Sequence, residues 1–303
     1  MDEMISVADL QEQLLNLSKP LAALDLPLLD AHGATLASDL LIDGTPVIKS
    51  GQLIDSTQIA LAASLGLARL PCRPHPRVVI ISAGDDLVEP GSKLADDEDE
   101  FESNSWFLTT FAREVGAHAF RVHTIPETAE QLKVIIEDQL VRADLIVISG
   151  ESKDESFDLI TSVISKLGQI TIVTPALAES SKHSFGLIGP DQTPVVVLPG
   201  DPIGNFLSAE LFIKPMIIRM LTGVVTAAAS KKIKLSKPIN SPLGKSQYLR
   251  GEINSDGQVV PLEAQESLIT LSIANCLIEV GEKVEKLASG DLVRVIELNQ
   301  GQH

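Results

Sequence analysis

Arg77-Val78-Val79-Ile80-Ile81-Ser82-Ala83-Gly84-Asp85-Asp86 is the stretch that decides the fold. Its apolar run has the length of a strand, shows no alternation of apolar and polar residues, and ends on small and acidic ones. That is the pattern of a strand covered on both faces, with a polar loop at its C-terminal end. The pattern recurs twice. Leu145-Ile146-Val147-Ile148-Ser149 runs into Gly150-Glu151, and Val195-Val196-Val197-Leu198 runs into Pro199-Gly200-Asp201-Pro202. Helical stretches separate these runs at 104–115, closed by Gly116, at 127–141, and at 157–167, closed by Gly168. A fourth follows at 203–221, where Pro215 introduces a kink. Shorter strands are expected at 119–123 and 170–173. Alternation of this kind from 76 to 222 predicts an α/β fold, a three-layer domain around a mostly parallel sheet. Ligands of such sheets bind outside the C-terminal strand ends. Chemistry is therefore expected at 82–86, 149–151 and 199–202.

Outward from this centre the pattern changes. Residues 5–42 carry helical periodicity through Leu10, Leu14, Leu15, Leu17, Leu21, Leu24 and Leu28, with Ser6 as an N-cap. This predicts a helical N-terminal segment within 1–75. Residues 43–57 are turn-rich, and 59–67 reads as a helix closed by Gly66. On the C-terminal side, Lys231-Lys232-Ile233-Lys234 reads as a basic linker between domains. Residues 233–298 then shorten into strand-and-turn units, with Asn254-Ser255-Asp256-Gly257 and Ser289-Gly290-Asp291 as turns. A small β-barrel over 231–303 is expected, and no internal repeat is visible.

Composition narrows the function classes. The chain has 303 residues, 44% hydrophobic and 21% charged, which excludes a disordered tail protein. Its net charge of −17 opposes a phosphate backbone, and a single Trp (Trp106) and a single Tyr (Tyr248) are too few for base-stacking platforms. Nucleic acid is excluded as a partner. The apolar runs are far below the roughly 18 residues of a membrane span, and Met1-Asp2-Glu3-Met4 lacks the basic start of a signal peptide. A cytoplasmic protein is expected. Cys72 and Cys276 read as small apolar fillers, and the six histidines show no zinc-ligand spacing.

At the strand ends, the order Ile81-Ser82-Ala83-Gly84-Asp85-Asp86-Leu87 through Glu89-Pro90-Gly91 resembles the molybdopterin molybdotransferase family, that of bacterial MoeA and the gephyrin E domain. Further segments agree in order: Phe101-Glu102-Ser103-Asn104-Ser105, Ala143-Asp144 through Ser149-Gly150 followed by Phe157-Asp158, Leu198-Pro199-Gly200-Asp201-Pro202, and Tyr248-Leu249-Arg250. The resemblance implies insertion of molybdate into adenylated molybdopterin with release of AMP, in a homodimer that uses Mg²⁺. It implies Asp86, Glu127 and Asp158 as catalytic carboxylates and Mg²⁺ ligands. It also implies that Ser82, Gly84, Ser149, Gly150, Lys182, Pro199 and Gly200 hold the molybdopterin-type ligand.

Four departures from the family pattern stand out. A β-rich domain of about a hundred residues is missing where Leu40-Leu41-Ile42-Asp43-Gly44 runs into Thr45-Pro46-Val47. The family's Gly-Gly-Val-Ser-Val-Gly loop is replaced by Gly150-Glu151-Ser152-Lys153-Asp154-Glu155-Ser156. Glycines permit the φ > 0 conformations that aim N–H groups at an anion, whereas a carboxylate about 4 Å from a phosphate costs on the order of 1–4 kcal/mol. The Lys-Pro-Gly-Lys-Pro segment becomes Ala178-Glu179-Ser180-Ser181-Lys182-His183. Finally, the acids shift by a methylene, with Asp86 for Glu, Glu127 for Asp and Glu102 for Asp.

Two functions stay open on these residues. One is the family reaction, degenerate in this chain. The other is a non-catalytic, gephyrin-like dimeric scaffold that binds a peptide segment of a partner protein. The acid run Asp96-Asp97-Glu98-Asp99-Glu100 suits a solvated loop, a Mg²⁺ site or a basic partner. Pro199-Gly200-Asp201-Pro202 suits helix capping as well as anion binding.

Overall fold

The structure, a computed structural model, describes residues 3–84, 86–97, 99–123, 125–126, 128–150, 154–179, 181–224 and 230–298. Strand β1 (Glu3–Ile5) comes first, followed by helix α1 (Val7–Leu17), which buries Val7, Leu10 and Leu14. Ser6 caps α1 by accepting the Asp9 N–H at 3.1 Å. Beyond α1 the helical periodicity is largely overridden. The chain forms β2 (Leu24–Pro27), the single turn α2 (Leu28–Ala31), β3 (Thr35–Leu36), β4 (Leu40–Ile42), β5 (Thr45–Ile48), α3 (Ser56–Ser64) and β6 (Arg69–Arg73). Pro20 and Pro27 forbid a continuous helix, and residues 24–27 find an antiparallel partner in β6. Leu36, Ile48, Ile54, Leu70 and Cys72 form the small core of this unit.

At the place where the sequence reading expects a missing domain, Asp43 and Gly44 both adopt positive φ, +49° and +79°, and join β4 directly to β5. An Asp-Gly pair with φ > 0 at both positions is the favoured two-residue hairpin turn. The connection between β4 and β5 is thus a turn of ordinary chemistry.

The central unit runs β7 (Arg77–Ser82), β8 (Leu87–Val88), β9 (Glu100–Phe101), α4 (Asn104–Val115), β10 (His118–Arg121), α5 (Ala129–Leu140), β11 (Leu145–Ser149) and α6 (Asp154–Ile164). It continues with β12 (Gly168–Pro175), β13 (His183–Ile188), β14 (Thr193–Leu198), α7 (Pro202–Ser208), a π-helical turn (Ala209–Ile213) and α8 (Lys214–Thr222). Seven strands form one sheet in the order β1-β12-β13-β14-β11-β7-β10. The β14-β11-β7-β10 block and the β1-β12 pair are parallel, while β13 runs antiparallel to both neighbours.

The unbroken apolar run of β7 has a simple cause. Val78 and Ile80 enter the core on one face of the sheet, and Val79 and Ile81 enter the core on the other. Full burial of one such side chain contributes about 1.5–3 kcal/mol. The helix break expected at Pro215 sits one turn earlier, in the π-helical segment that leads into α8.

The chain ends in β15 (Ser230–Leu235), β16 (Ile239–Asn240), β17 (Gln247–Ile253), β18 (Gln258–Pro261), α9 (Leu268–Ile273), β19 (Cys276–Val280), β20 (Lys286–Leu287) and β21 (Leu292–Glu297). Five of these strands close a barrel in the order β15-β18-β17-β19-β21. Lys231-Lys232-Ile233-Lys234 is not a linker: it lies inside β15, paired with β21, and Ile233 packs on the barrel core. Tyr248, Leu277 and Ile296 join the core beneath the central sheet, so barrel and sheet share apolar contacts. Cys72 and Cys276 are buried free thiols, and burial pushes the Cys276 thiol up to about 12. Among the described residues no helix is long and apolar enough to cross a membrane.

Candidate functional site

Strands β7, β11 and β14 end level with one another, Ser149 facing Ser82 on one side and Leu198 on the other. Ser149 is fully buried. Its Oγ accepts from Asn104 Nδ2 at 3.0 Å and from Asn205 Nδ2 at 3.1 Å. The same amide of Asn104 donates to Gly200 O at 2.6 Å, and that of Asn205 to Pro199 O at 3.1 Å. The Ser149 hydroxyl faces Gly150 O at 3.3 Å and Pro199 O at 3.5 Å. One serine thereby ties β11, α4, the 199–200 turn and α7 into a neutral knot. Because Pro199 O only accepts, it fixes the Asn205 amide orientation and leaves Asn205 Oδ1 buried without a partner among the described residues.

Close approach explains Gly150. A Cβ there would lie 2.6 Å from Ser156 Oγ and 3.1 Å from Ile160 Cδ1, so α6 packs directly on the turn. Ala83 N–H donates to Ser149 O at 2.9 Å, and Gly84 N–H reaches Pro126 O at 3.3 Å. Asp201 caps α7, accepting the Gly204 N–H at 2.6 Å, with Pro202 in the first turn. The strand ends thus bring Ser82, Gly84, Ser149, Gly150, Pro199 and Gly200 to one edge of the sheet.

A charged network occupies the β7 side. Ser82 Oγ donates to Glu102 Oε1 at 2.7 Å, and Glu102 also accepts the Ser105 N–H at 2.7 Å and the Ser105 hydroxyl. Arg121 Nη2 lies 3.3 Å from Glu102 Oε2 and also pairs with Glu89, while Arg121 Nε donates to Ser105 Oγ at 2.6 Å. The guanidinium stacks 4.4 Å over the half-exposed Trp106 ring. Glu102 is therefore a helix-capping, ion-paired carboxylate whose oxygens are already committed.

The three proposed metal carboxylates are placed differently. Asp86 is half-buried, and its carbonyl accepts the Glu100 N–H at 2.9 Å. Asp158 is exposed in α6, and Glu127 lies outside the described residues. Among the described residues no three His, Cys, Asp or Glu side chains gather to hold a metal. The donors are carboxylate oxygens, the type that Mg²⁺ takes.

Lys182 is half-buried ahead of β13. Its neighbour His183 is fully buried, with Nδ1 3.0 Å from Ser181 O and Nε2 2.7 Å from Ser208 Oγ. Burial pushes the imidazole down to about 4, so the ring is neutral at pH 7 and Nδ1 carries the proton toward Ser181 O. Arg250, in β17, is enclosed and donates Nη1 to Tyr248 O at 3.3 Å and Nη2 to Gln265 O. Burial lowers its pKa, against the fields of Glu179, Glu266 and Asp201. Burial likewise raises the Glu179 carboxyl, which the Arg250 charge opposes. Sequence reasoning gave no role to Asn205, Arg121 or Glu179. An Asn in the first turns of a helix that opens at a strand end is the signal that could have marked Asn205.

A mostly parallel sheet with a polar knot at its strand ends, set against a closed five-stranded barrel, is the fold of MoeA proteins. The molybdopterin biosynthesis MoeA protein of Pyrococcus horikosii superposes with a TM-score of 0.82 at 18% identity, over 97% of this chain and 99% of that one. Two family profiles match in sequence: "Probable molybdopterin binding domain" over residues 79–219 and "MoeA C-terminal region (domain IV)" over residues 232–298. Molybdopterin molybdenumtransferase 1 of Mycobacterium tuberculosis is 29% identical over 274 residues, covering 87% of this chain and 64% of that protein. Gephyrin of Dictyostelium discoideum is 25% identical over 299 residues, covering 86% of this chain and 42% of that protein. The chain belongs to the MoeA and gephyrin E-domain family. The chain spans less than two thirds of the length of the mycobacterial protein and of the Dictyostelium gephyrin.

Proposed function

We propose that the chain serves molybdenum-cofactor biosynthesis by binding a molybdopterin-type ligand, with Mg²⁺, across the turns at 149–150 and 199–200, and acts as a homodimer. The Ser149 knot carries this reading, because it holds both turns in a fixed relation through neutral hydrogen bonds and keeps a buried acceptor in reserve. Preorganised polar groups of this kind bind a ligand at little cost in ordering. Asp86, Glu127 and Asp158 would hold the Mg²⁺, which neutralises phosphate charge when bound. We read the family's molybdate-insertion step, with AMP release, as degenerate here. Glu102 is locked to Arg121, Ser82 and Ser105.

Calorimetric titration of adenylated molybdopterin, with and without Mg²⁺, tests the reading. Micromolar affinity is expected, with Ser149→Ala weakening it about tenfold, the equivalent of one buried hydrogen bond. No detectable heat from the wild-type chain sinks the proposal. AMP release at wild-type rates for the family would overturn the degenerate step.

One observation favours a second reading, the peptide-binding scaffold. A groove of about 960 Å³ runs between α1, α8 and the barrel, with Glu12, Glu210, Glu279 and Glu282 against Arg219 and Arg294. Glu210 is paired with Lys214 and Glu279 with Arg294, which leaves Glu12 and Glu282 to draw a basic peptide and speed its encounter. Binding of such a peptide with equal strength in the presence and absence of Mg²⁺ would support it.

A further inference from the structure

On its C-terminal side, the small unit formed by 24–73 joins the central sheet through three residues. Strand β6 ends at Arg73 and β7 begins at Arg77, so Pro74-His75-Pro76 is the link. A proline on each side of His75 fixes two backbone φ angles and stiffens it. His75 Nδ1 lies 2.6 Å from Gly116 O, and because a carbonyl only accepts, that nitrogen carries the proton. The His118 N–H donates to Pro76 O at 2.9 Å. Between these two bonds the imidazoles of His75 and His118 stack, 4.8 Å apart at their centroids with planes inclined by 25°.

Both rings line a cavity of about 600 Å³ between the small unit, which contributes Leu24, Leu26 and Ala34, and the N-terminal ends of β7 and β10. Three charged groups share it: Asp30 from α2, Arg77 from β7 and Asp144 from just before β11. Arg77 and Asp144 hold each other through bonds of 3.0 and 2.8 Å. From β6, the Arg73 guanidinium turns to Leu36 O and Thr222 O, and from α4 that of Arg113 turns to Ala119 O. The exposed Asp30 is left to offset one added positive charge. A second added charge meets the first across the stack, with no further carboxylate among the described lining residues. Partial burial and the neighbouring His75 already hold His118 below the ordinary imidazole range. The Nδ1 bond of His75 is kept in both of its charge states, so the first proton goes to His75 Nε2 and the second to His118.

We propose that the His75–His118 stack is a proton-operated latch: it holds the small unit on the central sheet while at most one ring is charged, and the second proton drives the rings apart and opens the cavity beside them. The latch lies at the N-terminal ends of the strands, the end opposite the Ser149 knot, and is independent of any ligand bound there. Linkage gives the sign. The closed pair binds the second proton more weakly than the open one, so acidification below about pH 6.5 favours opening. Opening can gain no more than the factor by which closure weakens that proton.

The test follows the imidazole signals of the full chain by NMR across pH, assigned with His75→Gln and His118→Gln; the glutamine in the first keeps a donor for Gly116 O. In the wild type His118 should bind its proton about threefold more weakly than in His75→Gln. Amide exchange at residue 118, whose N–H donates to Pro76 O, reports the opening. Its protection, corrected for intrinsic rate, should fall about threefold from about pH 7.5 to about pH 5 in the wild type and hold within about 1.5-fold in both variants. Identical titration of His118 in the wild type and in His75→Gln overturns the latch. So does an equal loss of protection in all three proteins, which would assign the acid response to groups elsewhere, such as His183. If His75→Gln does not fold, His118→Gln decides alone: protection that still falls with acid in that variant overturns the inference.

Discussion

On the β11 side of the strand ends, Ser149, Asn104 and Asn205 are joined by neutral hydrogen bonds, and one buried acceptor, Asn205 Oδ1, is left over. On the β7 side, Ser82, Glu102, Ser105, Arg121 and Glu89 are joined by charge-assisted bonds, and Trp106 covers the guanidinium. The first region ties the turns together and leaves one acceptor unmet. The second spends its charges on itself. A carboxylate matched to an internal arginine and two serines is a structural element even where its position in the sequence suggests chemistry, because a metal would have to displace those partners.

Removing the internal cation should give the largest effect. Arg121 is 8% exposed and Glu102 1% exposed at their side chains. Breaking a buried pair from one side leaves a charge without a partner and costs about 3–5 kcal/mol. Arg121→Met is expected to lower stability by that amount in urea unfolding, while the folded fraction keeps its affinity for adenylated molybdopterin. A loss under about 1 kcal/mol would show that the charged region is not self-contained. The comparison would then fail.

Next in size is a dependence on pH from the neutral side. His183 ties the 181–183 segment to Ser208 of α7. The unfolded imidazole takes its proton near 6.5 and the folded one only at about 4. Between these values the unfolded state binds more protons, so stability rises with pH and falls on acidification from 6.5 toward 4. The contribution at stake is about 3 kcal/mol. His183→Gln keeps polar contacts and cannot titrate. Its stability should therefore fall less than that of the wild type between pH 7 and pH 4.5. Parallel losses in the two proteins would assign the acid sensitivity to carboxylates instead.

The sheet was legible where burial on both faces leaves an unbroken apolar signature, as in 78–81, 145–148 and 195–198. It was not legible where pairing alone makes a strand. Strand β13 begins His183-Ser184 and contains Gly186, where a Cβ would lie 2.0 Å from Gln169 O; no apolar run announces it. Strands β2 and β6 are far apart in the sequence, and the leucines of 21–28 mimic a helical period. Lys231, Lys232 and Lys234 hid β15 because a run of exposed charge looks like a linker. At the site, Ser82, Ser149, Gly150, Pro199 and Gly200 were legible from their places at strand ends. Asn205 and Arg121 were not, since each matters only through partners that the fold brings from elsewhere: Ser149 and Pro199 for one, Glu102 and Glu89 for the other.

The smallest effect on stability, and the cleanest division of the site, is expected from Asp158. Its carboxylate is exposed on α6. An exposed substitution with no cap, cavity or buried charge at stake changes stability by no more than about 0.5 kcal/mol. Asp158→Asn should therefore unfold at the same urea concentration as the wild type. Without Mg²⁺ it should bind adenylated molybdopterin within twofold of wild type, because the Ser149 knot is untouched. Any gain in affinity that Mg²⁺ gives the wild type should disappear, since an amide is a poorer ligand for a hard cation than a carboxylate. Loss of the Mg²⁺-independent binding would place Asp158 in the cradle itself and erase the division between the two sides. A full Mg²⁺ response in the variant would remove Asp158 from the metal set and leave that duty to residues nearer the strand ends.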